Sequence, residues 1–373
     1  MRRDNESIGR GSKVVHLLDR YIGIPVVWFL GLLGKIKKNK QPFSNIKKIA
    51  ILKINAIGDT VLLSAAIKDL REKYRDAKLT IFVGETNYEI ATILPDVNET
   101  IKLPIKNPLR TIIDIRKRGR YDLWIDFGPW PRLNALITYF AIADYKIGFN
   151  TNGQYRHYIY DASVKHNSVI HECFNYKNLL KLVGVEGANF PSLLVEAHNE
   201  AETDKKITLH LFPGGSKSYL KEWPETNWVM IIRYFIGKGF KIYLTGAKGD
   251  RQRALSLKEM IERNKDVFVV AGEYTLKQTA TLLEKSRLVI TVNTGVMHIA
   301  SALKCNVISL QGPTSAKRWG PLNINSISVN SNLPCSPCLN LGFEYGCDNN
   351  KCMASISVAT VIDAANKLLL TRE

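Results

Sequence analysis

Asp59 is the carboxylate whose position in the sequence best suits acid–base chemistry. It follows the buried-strand pattern KIAILKI, residues 48–54, and opens a helical pattern with an apolar face. A carboxylate between a strand and a helix can serve as the general base of an active site. It can also serve as a helix N-cap, which stabilises a helix by about 0.5–2 kcal/mol. Spacing alone leaves both roles open.

A glycine-containing loop after a second strand pattern offers donors for phosphate. Gly214 and Gly215 follow the run ITLHLFP, and Ser216, Lys217 and Lys221 come next. Backbone N–H groups in such a turn can bind phosphate oxygens, and the lysines add positive charge. The loop has neither the Walker A spacing nor GxGxxG, so it is a weak signal by itself.

A third polar junction lies between another strand pattern and its helix. Asn293, Thr294 and Gly295 stand at this junction, and His298 follows about one turn into the helix. An anion at a helix N-terminus is stabilised by roughly 0.3–2 kcal/mol, in addition to direct bonds from N–H groups. His298 faces either a ligand or the core, and a lone histidine is more often structural.

A run of basic residues in the first half suits a phosphate-bearing acceptor. Lys102, Lys106, Arg110 and Arg116 are candidate contacts, and further basic residues follow at 117, 118 and 120. The alternative is an ordinary solvated helix face.

Four of the six cysteines fall within eighteen residues and form a local cluster. Cys335, Cys338, Cys347 and Cys352 have the spacing Cys-x2-Cys-x8-Cys-x4-Cys. Four thiolates can hold a structural zinc ion in a tetrahedron. Disulfides and free thiols are the alternatives, and no catalytic role is expected.

The N-terminal region resembles a surface anchor more than a membrane span. Residues 21–34, YIGIPVVWFLGLLG, are uncharged and mostly apolar, and a lysine cluster follows them. Fourteen residues of helix reach about 21 Å, less than the roughly 30 Å hydrocarbon core. We expect residues 1–44 to associate with an anionic leaflet, in the plane of its surface. A helix packed on the core of its own domain is the alternative.

Composition narrows the class of protein and its partners. Apolar residues make up 45% and charged residues 23%, which excludes disordered, collagen-like and multi-span membrane classes. Fifty-two Lys and Arg against 34 Asp and Glu give a formal charge of +18, which indicates an anionic partner. Nucleic acid is disfavoured because no binding module accompanies the charge. GxSxG and HExxH are missing from the sequence, so hydrolase and metalloprotease classes have no support.

Short apolar runs alternate with helical patterns over most of the chain, which predicts parallel α/β sheets. Strands are predicted at 48–54, 78–83, 123–127, 207–212, 241–245, 267–270, 288–292 and 306–310. Helices are predicted at 134–143, 224–237, 250–263, 276–285 and 296–303. A polar stretch at 196–206 separates the two series. We expect two Rossmann-like, doubly wound domains, 45–198 and 199–355, that face a central cleft.

These motifs, in this order, resemble glycosyltransferase family 9, the heptosyltransferase family. The matching segments span roughly residues 48 to 325. They are KINAIGDTVLLSAAIKDLREKY, FPGGSKSYLKEWPETNW, LTGAKGD, AGEYTLKQTATLLEKSRLVITVNTGVMHIASAL and LQGPTSAKRWGP.

The resemblance implies a GT-B fold and an inverting, metal-independent transfer from a nucleotide-diphosphate sugar such as ADP-heptose. The missing Asp-x-Asp metal signature agrees with this mechanism. The resemblance implies that Asp59 is the base and places Tyr274 near the nucleobase. It assigns the leaving diphosphate to the glycine loop, Lys221 and the Thr294-Gly295 helix start, with His298 nearby. It also implies that a last helix, within 356–373, crosses back to the N-terminal domain.

One departure from the family pattern bears on the donor sugar. Asn293 stands where heptosyltransferases commonly carry aspartate, which removes a charge and presents an N–H₂ donor. We expect transfer of heptose or a related sugar to a lipid-linked or phosphorylated glycan at the cytoplasmic face of the bacterial inner membrane. A non-catalytic nucleotide-sugar-binding scaffold is the alternative, and a nicotinamide enzyme is disfavoured because neither half contains GxGxxG.

Overall fold

A computed structural model describes residues 19–35, 45–130, 132–195, 205–215, 218–262, 264–339 and 347–370. The chain divides into two compact units, Met1–Asn189 and Phe190–Glu373. Both are α/β units, as predicted. Each has a six-stranded sheet in which every pair of neighbouring strands is parallel.

The first unit has the strand order β3-β2-β1-β4-β5-β6. Its strands are β1 Lys48–Lys53, β2 Lys78–Val83, β3 Glu99–Lys102, β4 Tyr121–Asp126, β5 Ala143–Asn150 and β6 Ala162–Lys165. Its helices are α1 Ile24–Lys35, α2 Ile57–Lys73, α3 Tyr88–Ala91, α4 Pro108–Lys117, α5 Arg132–Phe140 and α6 Glu172–Leu180. Because β1 and β2 are buried on both faces after their first residue, their sequences read as continuous apolar runs.

Because crossovers between parallel strands are right-handed, the strand order divides the helices of this unit between the two faces of the sheet. Helices α2 and α3 follow β1 and β2 on one face, and α6 packs against α2. Helices α4 and α5 lie on the opposite face, where Ile115 and Ile137 share one apolar core cluster. Helix α1 joins that second face through Val27, which is buried against Ala135 of α5.

The second unit repeats this design with the strand order β12-β11-β10-β7-β8-β9. Its strands are β7 Lys206–His210, β8 Lys241–Thr245, β9 Val267–Val269, β10 Leu288–Val292, β11 Val307–Gln311 and β12 Ser326–Asn330. Its helices are α7 Glu225–Gly237, α8 Arg251–Glu259, α9 Leu276–Glu284, α10 Gly295–Ala302, α11 Ala316–Trp319, α12 Lys351–Ala354 and α13 Val358–Leu370.

The unit boundary lies earlier in the chain than the sequence predicted, and the last helix packs within the second unit. The boundary falls after Asn189, upstream of the polar stretch that we expected to contain the linker. Helix α13 was predicted to cross back to the N-terminal domain. That contact stays a prediction. Within the second unit the helix buries Val361, Ala365 and Leu368 in the core cluster, because these residues form one apolar stripe that covers the sheet.

Both sheets have one point where the order of connection reverses. In the first unit it lies between β1 and β4, and in the second between β7 and β10. Loops at the carboxyl ends of these strand pairs diverge to opposite faces and leave a crevice where ligands bind in open α/β sheets. The fold therefore predicts a site at the loops after β1 and β4 and another at the loops after β7 and β10.

Candidate functional site

Asp59 lies at the switch point of the first unit, in the first turn of α2. Its side chain is 16% exposed, and Oδ2 lies 3.2 Å from Nζ of Lys53, the last residue of β1. A carboxylate in the first turn also interacts favourably with the positive end of the helix dipole. The fold thus presents Asp59 at the carboxyl edge of the sheet as one half of an ion pair.

Lys53 is buried, and its ammonium group is satisfied by three neighbours. Besides Asp59, Nζ donates to the hydroxyl of Tyr176 at 2.8 Å and to the carbonyl oxygen of Phe127 at 3.2 Å. A buried charge is tolerated when it is both paired and hydrogen-bonded, as here. Lys53 is consequently fixed in place and holds one carboxylate oxygen of Asp59.

The turn that carries Asp59 is strained and tightly braced. Ala56 is the N-cap residue of α2 and has φ 70°, a region that non-glycine residues seldom adopt. Asn87 braces the turn by donating to the Lys53 carbonyl at 2.7 Å and to Thr60 Oγ1 at 2.8 Å. Because Ala56 occupies the cap position and has no side-chain donor or acceptor, the N-cap alternative for Asp59 is not what the structure shows.

The glycine loop of the second unit follows β7 at its switch point. Gly215 has φ +91°, which glycine adopts without strain, and a Cβ on Gly214 or Gly215 would meet open space. Lys221 reaches back to this loop and donates to the Gly214 carbonyl at 3.2 Å. Two further predicted contacts, Ser216 and Lys217, lie outside the described residues.

Across the switch point, the loop after β10 leads into α10. Gly295 is the first residue of this eight-residue helix, and Thr294 is its N-cap. The N-cap side chain makes no capping bond, and its Oγ1 is buried without a hydrogen-bond partner within the described ranges. A buried hydroxyl without a partner is costly, and a bound anion at the helix N-terminus would satisfy it. The glycine loop and this helix start form one predicted anion site.

Asn293 is held in a fixed orientation beside that helix start. Its Nδ2 donates to Gln311 Oε1 at 2.9 Å and to the Trp319 carbonyl at 3.2 Å. Gln311 is itself fixed, since its Nε2 donates to Ser309 Oγ at 2.7 Å. The Asn293 amide nitrogen is thus used within the protein, and Oδ1 remains as the polar atom for a ligand.

The other predicted donor-site residues of the second unit lie further from the two loops. His298 is buried within α10, and Tyr274 is half-exposed in the turn after β9. Strand β8 separates β9 from β7, so the strand ends that lead to Tyr274 and to the glycine loop are two strand spacings apart, about 10 Å. His210 ends β7, and burial lowers its pKa to about 4, so it is a neutral structural residue bonded to Thr245.

The predicted acceptor contacts do not all lie at the carboxyl ends of the strands in the first sheet. Lys102 ends β3 at the same edge as Asp59, where it pairs with Glu85 at 3.2 Å, and Lys106 follows in the next loop. Arg110 lies in the first turn of α4, beside Asp114. Arg116 lies at the far end of α4, where it donates to the Phe140 carbonyl. The structure therefore does not bring all four to one site.

Within the described residues, the cysteine cluster shows neither the zinc site nor the disulfides that the sequence left open. The four thiols of Cys335, Cys338, Cys347 and Cys352 are free, and Cys338 has a raised pKa through burial and its neighbours Cys347 and Cys335. Within the described part of the chain, however, no group of three or more His, Cys, Asp or Glu side chains could hold a metal ion. The thiols are neighbours without a ligand-like arrangement.

Sequence reasoning missed three residues that organise these sites. They are Lys53, Tyr176 and Gln311. Lys53 had a usable signal, because a lysine at the end of an otherwise apolar strand must find a partner when it is buried. Tyr176 and Gln311 had none, since each reaches its partner from a distant part of the chain.

Two parallel sheets, each with polar loops at its switch point, define a protein of two Rossmann-like units with a candidate ligand site in each. The family profile of glycosyltransferase family 9 (heptosyltransferase) matches residues 116–347. Because the match covers more than half of the sequence, the chain belongs to this family and is a glycosyltransferase.

Known heptosyltransferases are similar to this chain over most of their length. Lipooligosaccharide heptosyltransferase 2 of Haemophilus ducreyi is 24% identical over 308 residues, which cover 76% of this chain and 88% of that protein. The structure of E. coli ADP-heptose lps heptosyltransferase II has a TM-score of 0.71 at 20% identity, covering 87% of this chain and 99% of that one. E. coli heptosyltransferase WaaC with ADP-2-deoxy-2-fluoro heptose has a TM-score of 0.68 at 19% identity, covering 86% and 99%. These structures show the shared GT-B fold.

Proposed function

We propose that this glycosyltransferase moves heptose or a related sugar from a nucleotide-diphosphate sugar to a lipopolysaccharide-type or other lipid-linked bacterial glycan. Support for the donor comes from the similar WaaC protein, whose structure contains an ADP-heptose analogue. Support for the acceptor comes from the names of the relatives, which are lipooligosaccharide and lipopolysaccharide heptosyltransferases. The transfer is proposed to be inverting and independent of a metal ion.

The observation that carries this proposal is the Asp59 carboxylate, held by Lys53 at the switch point of the first unit. Asp59 takes the proton from an acceptor hydroxyl. The resulting oxygen attacks the anomeric carbon on the face opposite the nucleotide. One bond forms between the acceptor oxygen and that carbon, and the bond from the carbon to the phosphate oxygen breaks, so the configuration inverts. Lys53 keeps the carboxylate oriented throughout.

The second unit is proposed to stabilise the departing nucleoside diphosphate. Its negative charge would be met by backbone N–H groups at the start of α10, by the Thr294 hydroxyl and by the Lys221 ammonium group. Preorganised donors of this kind stabilise the charge that develops in the transition state. Asn293 Oδ1 would accept a hydrogen bond from a hydroxyl of the donor sugar.

We place the enzyme at the cytoplasmic face of the bacterial inner membrane as a peripheral protein. No helix in the described ranges is long and apolar enough to cross a bilayer. Helix α1 exposes several large apolar side chains on its outer face. They are Tyr21, Ile22, Trp28, Phe29, Leu32 and Leu33, of which the first two precede α1 directly. Such a face suits a helix lying in the surface of the membrane that holds the acceptor.

Substitution of Asp59 tests the mechanism. Asp59→Asn should lower kcat by about 10²–10⁴-fold while ADP affinity stays within about twofold of the wild-type value. Glu72→Gln is the matched control, since Glu72 is an exposed carboxylate on the same helix. Lys53→Met should also lower kcat without raising the KM of the donor. Normal turnover by Asp59→Asn would remove this residue from the mechanism.

A nucleotide-binding panel identifies the donor and, together with a transfer assay, tests the scaffold alternative. ADP, UDP, GDP and CMP are compared by thermal shift, because a ligand at about 100 times its Kd stabilises a protein by roughly 2.7 kcal/mol. Selective stabilisation by ADP supports an ADP-heptose-type donor. Nucleotide binding without transfer to native lipid acceptors, from any donor tested, would instead favour the non-catalytic scaffold.

A further inference from the structure

Helix α4 exposes apolar side chains that the proposed transfer does not use. Leu109 is 75% exposed and Ile113 is 52% exposed, whereas Thr111 and Ile115 of the same helix are buried against the sheet. The two exposed side chains are four residues apart and therefore lie on one helix face. Together they form an apolar stripe on a surface helix, and such a surface indicates a binding contact when polar residues surround it.

Basic side chains surround this stripe. Arg110 directly follows Leu109, Lys117 lies four residues beyond Ile113, and both are exposed. Lys106 and Arg116 are exposed at the two ends of the same surface. The acid on this helix is Asp114, which pairs with Arg110 at 3.8 Å. The surface therefore combines aliphatic and cationic groups, the composition of helices that bind an anionic lipid interface.

The α4 stripe lies on the same side of the sheet as the apolar face of α1. Helices α4 and α1 both pack against α5, on the face opposite α2. The inner side of α1 is closely docked, since Val27 is buried and Gly31 lies against Tyr158. A Cβ at Gly31 would overlap the Tyr158 Cβ. This docking fixes the outer face of α1 with respect to α4.

We propose that α4 is a second bilayer contact, in which Leu109 and Ile113 insert into an anionic leaflet while Arg110 and Lys117 bind its phosphate groups. This inference rests on the proposed function, because it deepens the membrane association proposed for α1. Charge indicates which partner binds this surface. The net charge of +18 and the local basic residues attract anionic lipid, and the same positive charge repels a second copy of this chain.

Two contacts on one side of the sheet have a consequence for catalysis. Helix α4 begins just after β3 ends, so Leu109 lies near the carboxyl edge of the sheet, the edge that also carries Asp59. Contact through α1 alone would leave the first unit free to roll about that helix. Contact through both helices holds the edge with Asp59 at a set height above the lipid that anchors the acceptor.

Vesicle binding by the full chain tests the second contact. Sedimentation with vesicles of phosphatidylglycerol and phosphatidylcholine gives the apparent Kd. Leu109→Ser with Ile113→Ser should raise this Kd about tenfold or more. Arg110→Gln with Lys117→Gln should raise it about fivefold for each charge removed. Trp28→Ser with Phe29→Ser, on α1, measures the first contact separately.

Matched controls come from the second unit. Ile324→Ser removes an aliphatic side chain that is 97% exposed, and Lys265→Gln with Lys367→Gln removes two exposed charges. Neither control should change the Kd by more than about twofold. Insertion is measured directly with Ile113→Trp, whose added fluorescence should be quenched by brominated acyl chains. Ile324→Trp is the comparison and should show no added quenching.

The outcomes distinguish this inference from the proposal beneath it. Wild-type affinity in the Leu109→Ser, Ile113→Ser variant, with weakened binding in the α1 variant, would overturn the α4 contact and leave membrane association intact. Weakened binding in the charge variant alone would overturn insertion. Failure of the wild-type chain to bind anionic vesicles would overturn both contacts. The role of Asp59 is tested separately, by measuring turnover in detergent.

Discussion

At the scale of single residues, Asn293 shows how a departure from the family pattern is accommodated. Its amide nitrogen donates to two oxygens, Gln311 Oε1 and the Trp319 carbonyl. Gln311 Oε1 also accepts from Thr314, and the amide cannot rotate without losing its bond to Ser309. Both neighbours of Asn293 Nδ2 are therefore fixed acceptors. The surroundings therefore suit an amide at this position.

Asn293→Asp should destabilise the folded chain at neutral pH. A carboxylate oxygen would face two acceptor oxygens, which we expect to cost about 1–3 kcal/mol of unfolding free energy. The loss of unfolding free energy should become smaller as the pH is lowered, because the protonated carboxyl group of the variant can donate a hydrogen bond to one of these oxygens. Urea unfolding of the variant and wild type at pH 7 and pH 5 measures this effect. Equal stability of the two proteins at pH 7 would show that Gln311 reorients and that the site does not select asparagine.

The residues of the site divide sharply into those that sequence could predict and those it could not. Asp59 and Thr294 stand at strand-to-helix junctions, which are visible as a change of hydrophobic period. Lys53 and Tyr176 meet across 123 positions of sequence, and no local pattern predicts such a pair. The local hydrophobic period thus predicts which loops contain the candidate functional residues. The partners that orient a catalytic group depend on tertiary packing instead.

At the scale of elements, two helix starts in the second unit serve different purposes. Helix α9 has Thr275 as N-cap, and its hydroxyl accepts from the Gln278 backbone N–H at 3.2 Å in a capping box. Helix α10 has Thr294 as N-cap, with no such bond. The same residue type thus stabilises one helix and leaves a donor available at the other. The helix at the switch point is the one at which we propose that the nucleotide binds.

Thr294→Val should weaken ADP binding without lowering stability. Its hydroxyl makes no bond to the described chain, so the unfolding free energy should stay within about 0.5 kcal/mol, while the Kd for ADP should rise about five- to tenfold. Thr275→Val is the matched control and should show the reverse: a loss of about 1 kcal/mol with unchanged ADP affinity. Calorimetric titration and urea unfolding measure both quantities. Unchanged ADP binding in Thr294→Val would place the nucleotide elsewhere.

The central elements were predicted well and the peripheral ones poorly. Strands β2, β8 and β10 begin and end at the predicted residues, because strands buried on both faces are continuous apolar runs. Strands β3, β5, β6 and β12 were not predicted. Each contains partly buried positions, so their sequences lack a continuous apolar run. The switch points lie between central strands, which is why the functional loops could be located.

At the scale of the whole molecule, each unit has an apolar core of its own. Phe82 and Trp124 stack within the core of the first unit, and Phe235 is fully buried in that of the second. Units with separate cores can unfold separately. The nucleotide site proposed here uses residues of the second unit, so a nucleotide should stabilise that unit alone.

Calorimetric unfolding of the full chain should therefore show two transitions, of which ADP raises one. At about 100 times its Kd, ADP adds roughly 2.7 kcal/mol to the unit that binds it. Phe235→Ala and Phe82→Ala identify the transitions, since each removes a buried aromatic side chain of one core at a cost of about 3–5 kcal/mol. Phe235→Ala should lower the ADP-sensitive transition and Phe82→Ala the other. A single transition that moves as a whole with ADP and with either variant would contradict independent units, because it would require the cores to unfold as one cooperative structure.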